Sequence, residues 1–153
     1  SYNSFMKIIN RKFHRNYREI EKYEAGIVLT GAEVKSIRAG GLRIDDAFVR
    51  IMGSEVYLIN AEISIYKFAR NDTYESKRSR KLLLHKKELL KLKIKMASGG
   101  LTLAPVSCYN KGPHIKLEIA LVKGRKDIEK RKVEKQRDIK IREEREIKEY
   151  VRM

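Results

Sequence analysis

Residues 101–121 read LTLAPVSCYNKGPHIKLEIAL. Leu101 and Leu103 begin one run, Ile115, Leu117, Ile119 and Leu121 form a second, and Asn110, Lys111, Gly112 and Pro113 lie between them. Alternation of period two on both sides of a Gly-Pro turn predicts two antiparallel strands. The same signal recurs upstream. Ala47, Val49 and Ile51 alternate with Phe48, Arg50 and Met52, Gly53 and Ser54 make a turn, and the alternation resumes from Glu55 to Ile59. This predicts a second hairpin. Earlier still, Tyr17 to Leu29 is rich in Ile, Val, Leu and Tyr around Gly26, which predicts one long strand or two broken by a bulge.

Helical signals are fewer. Thr30 is placed to cap a short helix over Ala32 to Ala39, with Val34 and Ile37 on one face, Lys35 and Arg38 on another, and Gly40 and Gly41 to end it. Leu82 to Met96 carries Leu89, Leu90 and Leu92 among lysines and stops at Ser98, Gly99 and Gly100, the pattern of an amphipathic helix. Ala69 to Lys81, with Arg70, Lys77, Arg78, Arg80 and Lys81, has no periodic apolar positions and is expected to be a basic surface loop. Five or six short strands interrupted by one amphipathic helix favour an antiparallel architecture, because parallel strands need a helix at each crossover. The fold class expected is therefore mainly β: an OB-fold-like closed antiparallel barrel with short helices and a basic, partly helical C-terminal tail. Residues 1–9 are expected to form an N-terminal arm, 10–123 the body and 124–153 the tail.

The tail differs in character from the body. From Arg125 onward alternating charge dominates, with only scattered Ile, Val and Tyr and no continuous apolar stripe. Pairs four residues apart, such as Asp138 with Arg142, each add about 0.2–0.5 kcal/mol to a helix. Such a segment is expected to be disordered alone and to become a helix on a partner.

Charge narrows the choice of partner. In 153 residues, 36 Lys plus Arg against 20 Asp plus Glu give a formal net charge of +16. A chain this basic gains affinity for a polyanion by releasing condensed counterions. An anionic membrane would meet the same charge, but it would also need an apolar face on a basic helix or a lipidation signal, and neither is found. No run of about 18 apolar residues occurs, and the N-terminus lacks a signal peptide's apolar stretch. A cytoplasmic protein with no membrane partner is expected. Cys108 is the only cysteine, so it forms no internal disulfide and fits a small packing residue. His14, His85 and His114 are far apart and do not show metal-ligand spacing, so neither metal nor cofactor is expected. There is no Gly-rich phosphate loop, serine elbow or zinc motif.

Basic residues interleaved with tyrosine point to RNA. Arg11, Lys12, Arg15, Tyr17, Arg18, Lys22 and Tyr23 are followed by Lys35 and Arg38 and then by Arg78 to Lys81. Lys and Arg engage phosphates, and aromatic rings stack on unpaired bases. The tyrosines also fit half-buried strand positions. Glu24 is either a structural hydrogen-bond anchor or an acceptor that reads base amino groups.

These residues carry a resemblance. The sequence resembles the SmpB family at Asn10-Arg11-Lys12, at Tyr17, and over the run YEAGIVLTGAEVKSIR from Tyr23 to Arg38. It does so again at Arg80-Lys81-Leu82-Leu83-Leu84-His85, at Lys116, and at Lys123-Gly124-Arg125-Lys126 with Glu129-Lys130-Arg131, where the family usually has Asp in place of Glu129. The resemblance implies a non-enzymatic protein whose OB-fold body binds the tRNA-like domain of transfer-messenger RNA, with one copy acting in the complex. It implies RNA contacts at Asn10, Tyr17, Glu24 and Lys116, and it favours RNA reading over anchoring for Glu24. Arg11, Lys12, Tyr23, Lys35, Arg38, Arg80 and Lys81 complete the expected RNA-binding set. The tail residues Lys123 to Lys126, Glu129, Lys130 and Arg131 are implied to act in the 16S rRNA decoding centre and the empty mRNA channel of a stalled ribosome. The rivals are a generic ribosomal or translation OB-fold protein, and a small ribonuclease using His85 or His114.

Overall fold

The computed structural model describes residues 6–66 and 73–152. Arg70, and with it part of the expected 69–81 loop, lies outside the described residues, as do Ser1 to Phe5 of the expected arm. In chain order the elements are β1 (Lys7–Ile9), α1 (Phe13–Asn16), β2 (Tyr17–Ile27), α2 (Gly31–Arg38), β3 (Leu42–Arg43), β4 (Phe48–Met52), β5 (Glu55–Ile59) and β6 (Glu62–Ile63). They continue with β7 (Arg80–Leu83), α3 (Lys86–Ala97), β8 (Thr102–Lys111), β9 (His114–Gly124) and α4 (Asp127–Arg152).

Two hairpins, β4–β5 and β8–β9, form where alternation and turn residues predict them. In the second, Gly112 takes a φ of 59°, a left-handed conformation that a glycine adopts without a Cβ clash. β2 is a single strand with a register shift between Glu19 and Glu21, so its irregularity falls at Ile20 and not at Gly26. Neighbouring strands run in the order β1-β8-β4-β5-β7-β2-β9, and β9 pairs again with β8. All these pairings are antiparallel, and β4, β5, β7, β2, β9 and β8 each pair with two others of these six, while β1 adds a third partner to β8. Ile37, Leu58, Ile63, Leu92, Leu103, Leu117, Ile119 and Leu121 fill the main core.

The segment around residue 80 corrects two expectations. Arg80 to Leu83 is a strand, not the end of a loop and the start of a helix, and α3 begins only at Lys86 behind the N-cap His85. Arg80 is fully buried. Its Nε and Nη2 donate to Glu33 Oε2 at 3.0 and 2.7 Å, and Nη1 donates to the Ala61 carbonyl at 2.8 Å. Glu33 is held in place by α2. Thr30 and Glu33 form a capping box, in which the Glu33 amide donates to Thr30 Oγ1 and the Thr30 amide to Glu33 Oε1. Burial raises the Glu33 pKa, but hydrogen bonds from Thr30, Arg80 and Arg78 outweigh it and hold the carboxyl below its usual value.

Within the expected tail, Asp127–Arg152 is a continuous 26-residue helix with no buried residue. β9 extends through Gly124, so Lys123 and Gly124 pair with Arg18 and Tyr17 inside the sheet.

Candidate nucleic-acid interface

The residues expected to meet RNA separate into a sheet face, a tail root and an interior pair. On the sheet face, alternation along β2 turns Tyr23 toward the core and Glu24 outward. Glu24 stands opposite Glu118 of β9, two register steps from Gly26 opposite Lys116, and Lys116 in turn faces Tyr109 of β8. Tyr109 donates its hydroxyl to Glu24 Oε2, and Lys111 Nζ lies 3.1 Å from Oε1. These hydrogen bonds, Tyr109 first and then Lys111, lower the Glu24 pKa, so the group is a carboxylate at neutral pH. Burial first, then the bond to Glu24, raises the Tyr109 pKa, which keeps its phenol protonated. Lys22 reaches Glu118 at 3.6 Å and relieves the like-charge pair. Glu24 is thus held in place by two donors while 38% of its side chain stays exposed, so it can serve as both anchor and acceptor.

Beside this cluster, Gly26, Ile27, Leu29, Val34, Leu83 and Lys116 line a cavity of about 250 Å³. A Cβ on Gly26 would sit 3.3 Å from Leu83 Cβ, so a small residue keeps the two strands close here. Arg38 Nη2 donates to the Pro113 carbonyl at 3.0 Å, which ties the end of α2 to the β8–β9 turn. Lys35 lies 5.5 Å from the Tyr66 ring centroid. Tyr23 donates its hydroxyl to Glu21, which also bonds Lys95 of α3. Lys81 is exposed and pairs with Glu55 at 3.2 Å.

At the tail root, Arg11 and Lys12 flank the start of α1 and are exposed. The Arg11 amide donates to Asp45 at 2.8 Å, and Lys12 pairs with Asp46 at 2.7 Å. Tyr17 packs 5.9 Å from the Phe13 ring in a small second core. Arg125 docks on the body: its Nε donates to the His14 and Tyr17 carbonyls at 3.0 and 3.3 Å, and its amide donates to Asn16 at 2.8 Å. Arg15 then meets Glu134 two turns into α4. Lys126, Glu129 and Arg131 are exposed, and Lys130 is partly so.

The interior pair is buried within the fold. Asn10 is 3% exposed, donates to the Pro105 carbonyl at 2.8 Å and accepts from the Lys12 amide at 3.0 Å, so its side chain staples the arm to β8. Arg80 is sealed in the core against Glu33. Both side chains are hydrogen-bonded within the fold.

This layout belongs to a known family. The model of the SmpB protein family matches residues 7–149. The chain belongs to the SmpB family. The SsrA-binding protein of Deinococcus radiodurans is 46% identical over 130 residues, covering 85% of this chain and 91% of the relative. That of Persephonella marina is 49% identical over 131 residues, 86% of each chain. That of Mycoplasma mycoides is 46% identical over 142 residues, covering 92% and 94%. A chain of the solved structure described as "tmRNA-SmpB: a journey to the center of the bacterial ribosome" superposes with a TM-score of 0.64 and 40% identity, covering 79% of this chain and 85% of that one.

The sequence does not pick out Tyr109 and Lys111 as the partners of Glu24. The signal was available in the register of the β8–β9 hairpin: Lys111 opposes His114 and Tyr109 opposes Lys116, one strand away from Glu24. Tyr109 also follows Cys108, whose thiol is buried and pushed up to about 12 by that burial, which leaves it protonated and inert.

Proposed function

We propose that this SmpB-family chain binds transfer-messenger RNA and delivers it to stalled ribosomes for trans-translation, acting by recognition without making or breaking bonds. The observation that carries the reading is the exposed Glu24 carboxylate, ionised and held by Tyr109 and Lys111 on a sheet face that also presents Lys116. A fixed acceptor among cations suits folded RNA, where phosphates meet Lys and base amino groups meet a carboxylate. The antiparallel circuit from β4 round to β8 supports a closed barrel of the OB type as the scaffold for that face. Lys22, Lys35 and Lys81 extend the basic surface around it, and Arg11, Lys12, Lys126, Lys130 and Arg131 make a second basic region at the tail root.

In this reading the body binds the tRNA-like domain and stands in for an anticodon stem. α4, rooted by Arg125, extends into the empty mRNA channel, with Lys126, Glu129, Lys130 and Arg131 nearest the 16S rRNA decoding centre. The setting is cytoplasmic. His14, His85 and His114, which the ribonuclease alternative would use, lie on α1, at the N-cap of α3 and at the start of β9.

The test is peptide tagging in a reconstituted translation system stalled on an mRNA without a stop codon. Truncation after Lys126, which keeps the Arg125 anchor, is expected to leave transfer-messenger RNA affinity within about threefold and to abolish tagging. Tagging that survives the truncation would favour a generic RNA-binding OB-fold protein.

A further inference from the structure

The Glu24 carboxylate has acceptor capacity left over after its bonds within the fold. A carboxylate offers about four lone-pair positions on its two oxygens. The Tyr109 hydroxyl takes one on Oε2, and Lys111 Nζ, 3.1 Å away, takes one on Oε1. Each oxygen keeps a second position, and 38% of the side chain is exposed. Glu118, directly opposite on β9, is instead engaged by Lys22 at 3.6 Å. Glu24 therefore presents two adjacent acceptors that Tyr109 and Lys111 hold from one hairpin.

Two adjacent acceptors match two adjacent N–H donors on one planar edge. Among the four RNA bases guanine alone has that edge, with N1–H beside the N2 amino group. Adenine and cytosine set a ring-nitrogen acceptor beside the amino group, and uracil has one N–H between two carbonyls. Each of these would turn a lone pair toward the carboxylate. Pairing in a duplex occupies the guanine edge, so the guanine must be unpaired, the state in which RNA bases are read on this edge.

The surroundings suit the rest of the base. Guanine O6 adjoins N1–H, and Lys116, close enough to help lower the Glu24 pKa, is a cation for it. On the outward side of β2, Gly26 follows Glu24 without a side chain, and Leu83 beside it is 53% exposed, which leaves an apolar ledge for the flat face of a base. A protein arginine offers the same pair of donors. Lys22, Lys111 and Lys116 around the carboxylate, in a chain of net charge +16, favour a polyanion over a cationic partner.

We infer, resting on the RNA-binding reading above, that Glu24 accepts from N1–H and N2 of an unpaired guanine while Lys116 donates to O6. Tyr109 and Lys111 are the positioning residues: they fix the carboxylate and act on the base through it. A charge-assisted bidentate contact of this kind carries base discrimination.

Kethoxal, which reacts with N1 and N2 of unpaired guanines, tests this on transfer-messenger RNA bound to the full chain. The native chain is expected to protect a guanine that Glu24→Ala, at a concentration saturating the RNA, leaves reactive. Replacing that guanine by adenine is expected to weaken the native chain about tenfold and the Glu24→Ala chain less than about twofold. Tyr109→Phe is expected to cut the preference for guanine over adenine about threefold at an unchanged urea midpoint, whereas a merely structural defect would weaken both RNAs alike. Preference for transfer-messenger RNA over an ordinary transfer RNA, with no guanine whose protection depends on Glu24, would overturn the guanine assignment and leave the proposed function standing. Equal binding of the two RNAs would overturn both. A guanine preference unchanged by Tyr109→Phe and by Lys111→Ala would overturn the positioning role.

Discussion

The body and α4 are built from similar residue types and are held together in opposite ways. The body removes Glu33 and Arg80 from water and hydrogen-bonds both completely, whereas α4 carries eighteen charged side chains in 26 residues and buries none. Charge in the body therefore fixes a geometry that depends on partners 47 residues apart in the chain. Charge in α4 supports a helix whose hydrogen bonds are local and which, among the described residues, is tied to the body by the Arg125 hydrogen bonds before it and the Arg15–Glu134 pair two turns in. The body can hold Glu24 in a set place for RNA to find. α4 leaves its charged side chains exposed to a partner.

The largest effect expected from this contrast is at the buried pair. Glu33→Ala leaves Arg80 buried and unpaired, and is expected to cost about 3–5 kcal/mol in urea unfolding, with secondary losses in α2 capping. A cost below about 1 kcal/mol would show that Arg80 escapes to solvent. The Glu33 pKa is lowered in the fold, so its contribution is complete above the ordinary value near 4.5 and is lost as pH falls through the folded value. The urea midpoint of the native chain should accordingly fall on acidification, and a Glu33→Gln background should show a flatter acid limb.

A smaller effect is expected at Asn10. Asn10→Ala removes the donor to Pro105 and the acceptor for Lys12, and is expected to cost about 1–3 kcal/mol while RNA affinity changes only as far as the arm loosens. Loss of RNA binding at unchanged stability would instead make Asn10 a direct contact. The smallest effect is in α4, where Ile139→Ala is expected to shift global stability by less than about 0.5 kcal/mol, because Ile139 is exposed. A larger loss, measured by the same urea titration, would mean that α4 packs on the body beyond its base.

The same contrast explains what could be read from the sequence. The β4–β5 and β8–β9 hairpins and the Thr30-capped helix were legible because alternation, turn residues and caps are local signals. β7 was not, because its two inward positions are Arg80 and Leu82, and an inward arginine looks like surface until Glu33 is placed beside it. Leu83 and Leu84 then mimic the start of the α3 stripe, which moved the expected helix start to Leu82. Glu24 and Lys116 are candidates through a resemblance, and the register puts them two steps apart across β2 and β9. Their supports Tyr109 and Lys111 follow only from the register of three strands. α4 lacks a core stripe, yet its Lys, Arg and Glu residues are strong helix formers.

The most direct test of the central claim is equilibrium binding of the full chain to transfer-messenger RNA and to an ordinary transfer RNA at near-physiological salt, with Glu24→Ala in parallel. The substitution raises the net charge, so electrostatics alone would tighten binding. Recognition by the Glu24 face predicts a preference for transfer-messenger RNA and a loss of about tenfold in affinity on substitution. Equal binding of the two RNAs, with Glu24→Ala binding as tightly as the native chain or more so, would contradict it.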